Sequence, residues 1–247
     1  MMERSYDEAE LLEKFKDFDE NYKVIQNNIA EAAIKSGRSP DDVHLLAATK
    51  TVPCELINYA TAHGVQFIGE NKAQELLSKY DQYQLPKENI HFIGHLQTNK
   101  VASIVGKVGM IQSVDSLKLA KEINKRSQAL DLTTNILIEV NIGEEASKSG
   151  TMANQLEELI GEISQLPCVK IQGLMTIPPI TDTPNEARKF FSNICNLSVD
   201  IRSKNIDNVN MDILSMGMSA DYVEAILEGA NMVRIGSLLF GKRIYVN

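Results

Sequence analysis

The sequence predicts an α/β protein of the (β/α)8 TIM-barrel class, with an extra helix ahead of the first strand. Three observations carry that prediction. Eight short apolar runs of strand length recur along the chain. Helical apolar patterns lie between them, which makes successive strands parallel. The 247 residues, 43% of them hydrophobic, supply one core of barrel size, and no Gly/Ser linker or low-complexity tract divides them. Eight strands close a barrel; an open doubly wound sheet is the alternative. Residues 1–247 therefore read as a single domain.

The elements follow in order. Residues 7–36 place Leu11, Phe15, Phe18, Tyr22, Ile25, Ile29 and Ala32 at alternating steps of four and three. That spacing makes one apolar stripe on a helix ending near Gly37. The same spacing suits a coiled-coil dimer. A helix lying on its own barrel is preferred, because Gly37-Arg38-Ser39-Pro40 turns the chain straight into a buried strand.

Strands are expected at His44–Lys50, Gln66–Asn71, Ile90–His95 and Met110–Asp115. Four more are expected at Asn135–Asn141, Lys170–Thr176, Met211–Met216 and Met232–Gly236. Leu156, Leu159, Ile160 and Ile163 mark one helix, and Ala187, Phe190, Phe191, Ile194, Leu197 and Ile201 another. The second opens with Thr183-Pro184-Asn185-Glu186, a capping box with proline at the first helical position. Gln97-Thr98-Asn99-Lys100 is expected to cap and open a further helix.

Composition excludes several functions. The net charge of −8 disfavours non-specific binding to nucleic acid or anionic membranes. Cys54, Cys168 and Cys195 are odd in number and form no C-x-x-C pair, which suits a reducing, cytoplasmic setting without disulfides. His44, His63, His91 and His95 match no zinc motif, so no metal is expected. MMERSYDEAE is too polar for a secretory signal, and no apolar run approaches the roughly 20 residues of a bilayer span.

In a parallel barrel the carboxyl ends of the strands share one face, where active sites sit. Lys50, Asn71, His95, Asp115, Asn141, Thr176, Ser215–Ser219, Arg234 and Ser237 fall there. Any strand turns polar as it leaves a core, which explains most of these singly. It explains less well a lysine directly after Leu45-Leu46-Ala47-Ala48-Thr49. Partial desolvation lowers a lysine pKa, and the neutral amine can form a Schiff base with a carbonyl. The motif T-K-T-x-P alone does not specify that chemistry.

Ser215-Met216-Gly217-Met218-Ser219 leads into a helix expected near Ala220, and Arg234-Ile235-Gly236-Ser237 follows the last strand. Barrels often bind phosphate with the loops after strands seven and eight, although two ordinary turns would look alike. An aldehyde-reactive lysine beside a phosphate cup suggests pyridoxal 5′-phosphate (PLP). Arg234 would then face the pyridine nitrogen. A permanent donor there keeps the nitrogen unprotonated and weakens the ring as an electron sink.

The matching stretches are longer than any of these motifs. They are Leu46–Pro53, Ile68–Glu75, His91–Lys100, Gln112–Asp115, Val140–Gly150, Gly173–Pro178, Leu214–Tyr222 and Val233–Gly241. Through them the sequence resembles the YggS/PROSC family of PLP homeostasis proteins over nearly its whole length. The resemblance implies a barrel of the alanine racemase N-terminal type, with PLP on Lys50 as a Schiff base. It implies phosphate contacts from Ser215, Ser219, Gly236 and Ser237, and Arg234 at the pyridine nitrogen. Asn71, His95 and Met175 would line the ring side. It implies a role in vitamin B6 and amino-acid homeostasis, PLP-dependent apoenzymes as partners, and a monomer. Ser237 stands where the family often has threonine, and Gly143 where serine is frequent, so a hydroxyl is lost there.

Glu70 and Glu75 are five apart and do not stack on a helix, so no paired-carboxylate site is expected. Lys148 is expected to be a solvated loop residue; a second amine at the pocket mouth is the alternative. A racemase needs a base on each face of the substrate carbanion. Lys50 serves one face, and in alanine racemases a tyrosine from an additional domain serves the other. This sequence stops at Asn247, soon after its eighth strand. Tyr222 and Tyr245 are nearby, but nothing in the sequence aims either at the pocket. A PLP-binding protein with no catalytic residue is therefore expected, with an amino-acid racemase as runner-up.

Overall fold

Eight parallel strands pair in chain order, and the last closes on the first. The computed structural model describes residues 7–145 and 148–241. The strands are β1 (His44–Ala48), β2 (Phe67–Glu70), β3 (Ile90–Phe92), β4 (Met110–Val114), β5 (Thr134–Val140), β6 (Val169–Thr176), β7 (Val209–Ser215) and β8 (Met232–Ile235). The helices are α1 (Glu8–Lys35), α2 (Cys54–Ala62), α3 (Ala73–Lys79), α4 (Val101–Ile104), α5 (Leu117–Ala129), α6 (Leu156–Ser164), α7 (Pro184–Ser203), α8 (Tyr222–Leu227) and α9 (Ser237–Phe240). The closed barrel excludes the open doubly wound sheet.

The alternation of strand side chains builds two cores. On β5, Ile136, Ile138 and Val140 face the helices and join the main core, while Leu137 faces the lumen. Leu46, Ile93 and Met232 fill one part of the lumen, and Met110, Leu137 and Met175 another. The lumen is thus a packed core rather than a pore. At Gly173, φ is 152° and a side chain would strike the Ile213 backbone, so β6 and β7 approach closely only because this residue is glycine.

Helix α1 turns its stripe inward, burying Phe18, Ile25, Ile29, Ala32 and Ala33. Asp7 and Glu10 cap its start reciprocally, with bonds of 2.8 and 3.3 Å. Asn28 donates to the Tyr222 hydroxyl (2.9 Å) and Asn21 to the Leu239 carbonyl (3.2 Å). Just past α1, Arg38 donates to the Ile226 and Ala230 carbonyls at 2.5 and 2.9 Å. The stripe is therefore spent on the barrel's own α8 and α9, not on a coiled coil.

Several boundaries differ from the sequence expectation. β1 stops at Ala48, β2 at Glu70 and β3 at Phe92, with one further inter-strand bond past β1 and past β3. Lys50, Asn71 and His95 consequently lie beyond the strands, Lys50 in a turn. At α7, Thr183 accepts from Glu186 N–H (3.4 Å), but the Glu186 carboxylate goes to Asp182 N–H (3.3 Å), so the box is only half formed. Gln97 makes no side-chain cap bond. Thr98–Lys100 forms a short 3-10 turn leading into α4. Among the described residues no helix is long and apolar enough to cross a membrane.

Candidate cofactor site

Lys50 occupies a tight turn at the carboxyl end of β1. Val52 N–H closes this turn onto the Thr49 carbonyl at 3.0 Å. Thr51, the residue after the lysine, has φ 64°, a left-handed conformation that is strained for a β-branched side chain. Lys50 itself is half-buried. β1 pairs with β2 through Ala48↔Gly69, so Asn71 lies beside the lysine turn on the next strand's exit. The Asn71 side-chain oxygen is buried without a hydrogen-bond partner among the described residues.

Gly94 presses against the Asn71 backbone, where no Cβ would fit, and leads to His95. His95 stands on the rim with 59% of its side chain exposed. Its Nδ1 lies 4.0 Å from Asp115 and 3.4 Å from the Ser149 hydroxyl.

The opposite side of the mouth is anchored by Arg234. It shares a lumen-facing parity with Met232 on β8 and is 4% exposed. It donates to the Ser215 carbonyl (2.6 Å), the Ser215 hydroxyl (2.8 Å) and the Thr176 carbonyl (2.9 Å). Burial lowers its pKa to about 10, with Glu139 and Asp221 opposing, so it remains a cation at neutral pH. The Ser215 hydroxyl donates in turn to Gln112 Oε1 (2.6 Å), and Gln112 Nε2 contacts His91 Nδ1 at 2.8 Å. Burial pulls His91 down to about 4.

Beyond Arg234 the chain forms a shallow cup. The Ser219 and Ser237 hydroxyls are 3.3 Å apart, and Leu238 N–H donates to Ser219 at 3.3 Å. A Cβ on Gly236 would lie 3.0 Å from the Ala48 carbonyl, so the cup sits directly against the end of β1 and the lysine turn. Ser219, Gly236 and Ser237 thus come together at the end of β1, two residues short of Lys50 along the chain. Ser215 points instead into the lumen, fully buried between Arg234 and Gln112. Met175 is buried in the lumen cluster beside Leu137.

Some strand-end residues are spent elsewhere. Asn141 Nδ2 donates to the Glu145 and Lys148 carbonyls (2.9 and 3.4 Å), and Thr176 Oγ1 donates to the Val140 carbonyl (2.7 Å). Lys148 pairs with Glu145 at 2.8 Å and donates to the Pro178 carbonyl at 3.2 Å. Tyr222 is buried against α1, and Tyr245 lies outside the described residues. Among the described residues no His, Cys, Asp and Glu cluster is arranged to hold a metal ion.

Sequence reasoning missed four buried polar residues. Glu139 shares the lumen-facing parity of Leu137 and is 7% exposed. Burial, helped by Asp115 and opposed by Arg234, raises it to about 7. A charge inside the apolar run NILIEVN was the available signal. Gln112 and His91 also break apolar runs at lumen positions. Lys79 is buried and its ammonium pairs with both Glu70 and Glu75, a cluster that the spacing of the two carboxylates did not announce. They lie five apart in sequence, but Glu70 ends a strand and Glu75 sits on α3, so helical stacking does not govern them.

The family model described as "Alanine racemase, N-terminal domain" matches residues 21–243. Pyridoxal phosphate homeostasis proteins of Aquifex aeolicus and Pseudomonas aeruginosa are 42% and 39% identical, each over 92% of this chain and 98% and 96% of their own. The Escherichia coli K12 protein of that name is 34% identical over 93% of this chain. The chain belongs to the pyridoxal phosphate homeostasis protein family.

Solved structures place the family's barrel beside this one. PipY of Synechococcus elongatus, in a structure described as having PLP bound, superimposes with a TM-score of 0.73 at 31% identity. That match covers 86% of this chain and 100% of PipY. A Bifidobacterium adolescentis protein described as unknown reaches 0.86 at 31% identity, over 96% and 98% of the two chains. An alanine racemase of Clostridium difficile, at 17% identity and a TM-score of 0.72, shares the fold over 57% of its length.

Proposed function

We propose that the protein binds pyridoxal 5′-phosphate through Lys50, as a Schiff base, and serves intracellular vitamin B6 and amino-acid homeostasis. The observation that carries this is the contact of Gly236 with Ala48, which sets the Ser219–Ser237 cup against the Lys50 turn. When bound, PLP supplies an aldehyde that condenses with the lysine amine and releases water. The residues suit such a group. Ser219, Gly236 and Ser237 offer hydroxyl and backbone donors to a phosphate. Arg234, fixed by Ser215 and Thr176, presents a rigid donor to a ring nitrogen. The partnerless Asn71 oxygen marks a buried polar position that a ligand donor would satisfy. His95 and Met175 complete the ring side, and Ser215 acts by holding Arg234.

The reading extends to a single-domain, cytoplasmic monomer that passes PLP to PLP-dependent apoenzymes. The inward stripe of α1 supports the monomer. Titration of the purified protein with PLP tests the central claim. A visible-region band is expected, fixed by borohydride on the Lys50 peptide and lost in Lys50→Ala. A colourless protein, or an unchanged band in the variant, overturns it.

The runner-up is a PLP-dependent racemase with weak activity. Glu139 favours it, because a buried lumen carboxylate that ionises near neutral pH suits proton transfer. The burial of the Tyr222 hydroxyl against α1 supports the binding-protein reading instead. Exchange of α-protons of amino acids in D2O separates the two, with robust turnover favouring the enzyme.

A further inference from the structure

Lys79 is a lysine with 1% of its side chain exposed, at the end of α3. Burying an ammonium is costly unless it is paired and hydrogen-bonded. Its Nζ lies 2.7 Å from Glu75 Oε1 and 3.5 Å from Glu70 Oε1, and it donates to the Thr49 carbonyl at 3.3 Å. The same Glu75 oxygen accepts the Thr51 N–H at 2.5 Å. Glu70 Oε1 accepts the Thr49 hydroxyl at 2.7 Å and the Tyr83 hydroxyl at 3.0 Å.

These bonds bracket one residue. The Thr49 carbonyl, the Thr49 hydroxyl and the Thr51 amide are all gripped from α3 and β2, and Lys50 lies between them. Thr51 also holds a left-handed φ of 64°, which persists only where its surroundings over-determine it. A cluster serving only to dock α3 would have no need to reach both neighbours of one residue.

We propose that Lys79, acting through Glu75 and Glu70, is a positioning residue that fixes the Thr49–Thr51 turn and so aims Lys50 into the cofactor pocket. The proposal rests on the reading of Lys50 as the cofactor lysine. Its geometry does not depend on Lys50's own contacts. Glu75 is the direct link, since one oxygen joins the ammonium to the turn's backbone.

The test uses the full-length protein with three variants, Lys79→Met, Glu75→Leu and Glu75→Gln. Amide exchange is read by mass spectrometry in peptides covering Thr49–Val52 and, as an internal reference, in peptides from α7. PLP uptake is read from the visible band. In Lys79→Met and Glu75→Leu, exchange at the turn should rise at least tenfold while α7 is unchanged, and PLP uptake should weaken at least tenfold. Glu75→Gln keeps an acceptor for Thr51 N–H and should stay within threefold of wild type on both readouts.

Wild-type protein without a band overturns the cofactor reading, whereas exchange at the turn still judges the positioning claim. A wild-type band with uptake in Lys79→Met and Glu75→Leu within twofold of wild type overturns the proposal. So does exchange that rises equally in α7, or a loss in Glu75→Gln equal to that in Glu75→Leu. If Lys79→Met does not accumulate, Glu75→Leu carries the same test, because Glu75 retains 15% side-chain exposure and tolerates replacement better.

Discussion

The Arg234 guanidinium donates to both the carbonyl and the hydroxyl of Ser215, at 2.6 and 2.8 Å. The Gln112 amide oxygen only accepts and its Nε2 only donates, which sets the direction of the bonds further along. Ser215 must give its proton to Gln112 Oε1, and Gln112 Nε2 must give one to His91 Nδ1. His91 is thereby held as the neutral Nε2–H tautomer, consistent with the downward pull of burial on its pKa. A cation at the mouth is tied to the floor of the lumen through three side chains.

Ser215→Ala cuts that chain. It leaves Gln112 Oε1 and one Arg234 donor buried without a partner, which costs about 1–3 kcal/mol. Urea denaturation should show the loss as a lower midpoint with an unchanged slope. An unshifted midpoint would mean that the Ser215 hydroxyl carries no structural weight.

The neutral His91 makes stability depend on acid. Its folded pKa is about 4, below the ordinary 6.5, so between those values the unfolded chain binds the extra proton. The stabilisation is complete above pH 6.5 and is lost as pH falls towards 4, by up to about 3 kcal/mol. His91→Gln keeps an acceptor for Gln112 but does not titrate. Its unfolding free energy should therefore vary less than wild type's between pH 7 and 4; parallel curves would contradict the assignment.

Glu139 has the opposite sign. Its folded pKa is raised to about 7 from 4.5. The folded state holds the proton longer, so the contribution is full below pH 4.5 and is lost as pH rises through 7. Glu139→Gln removes a penalty of up to about 3 kcal/mol at pH 8. Stability of the variant, measured by urea, should exceed wild type's at pH 8 and approach it at pH 5.

The cup serines separate anchoring from folding. Ser219→Ala and Ser237→Ala remove partly exposed hydroxyls, so stability should stay within about 0.5 kcal/mol. Each lost bond to a charged phosphate is worth about 1.5–3 kcal/mol, so PLP uptake should weaken by roughly tenfold or more. Uptake of pyridoxal, which lacks the phosphate, should not change. Equal losses for both ligands would place the phosphate elsewhere.

Much of the barrel was legible in the chain. The apolar runs marked all eight strands, because each strand is buried on both faces and reads as nearly continuous apolar sequence. Lys50 stood out because a charge interrupted such a run. Ser219, Gly236 and Ser237 were singled out as candidates because small residues and hydroxyls cluster after β7 and β8. The same logic did not separate them from Thr176 and Asn141, whose side chains bind local backbone. Polarity at a strand end does not say whether a side chain faces the mouth or its own loop.

The sequence by itself determined the order of strands and helices and the face on which the polar residues gather, while the structure closed the sheet into a barrel. Periodicity and burial are local properties, and the chain carries them residue by residue. Only the tertiary structure decided which polar groups meet. Lys79 reaches Glu70 and Thr49 across β2, and Ser215 meets Gln112, 103 residues away, inside the lumen. Barrel closure brings distant strands within hydrogen-bonding distance, and burial forces each polar group there to find a partner.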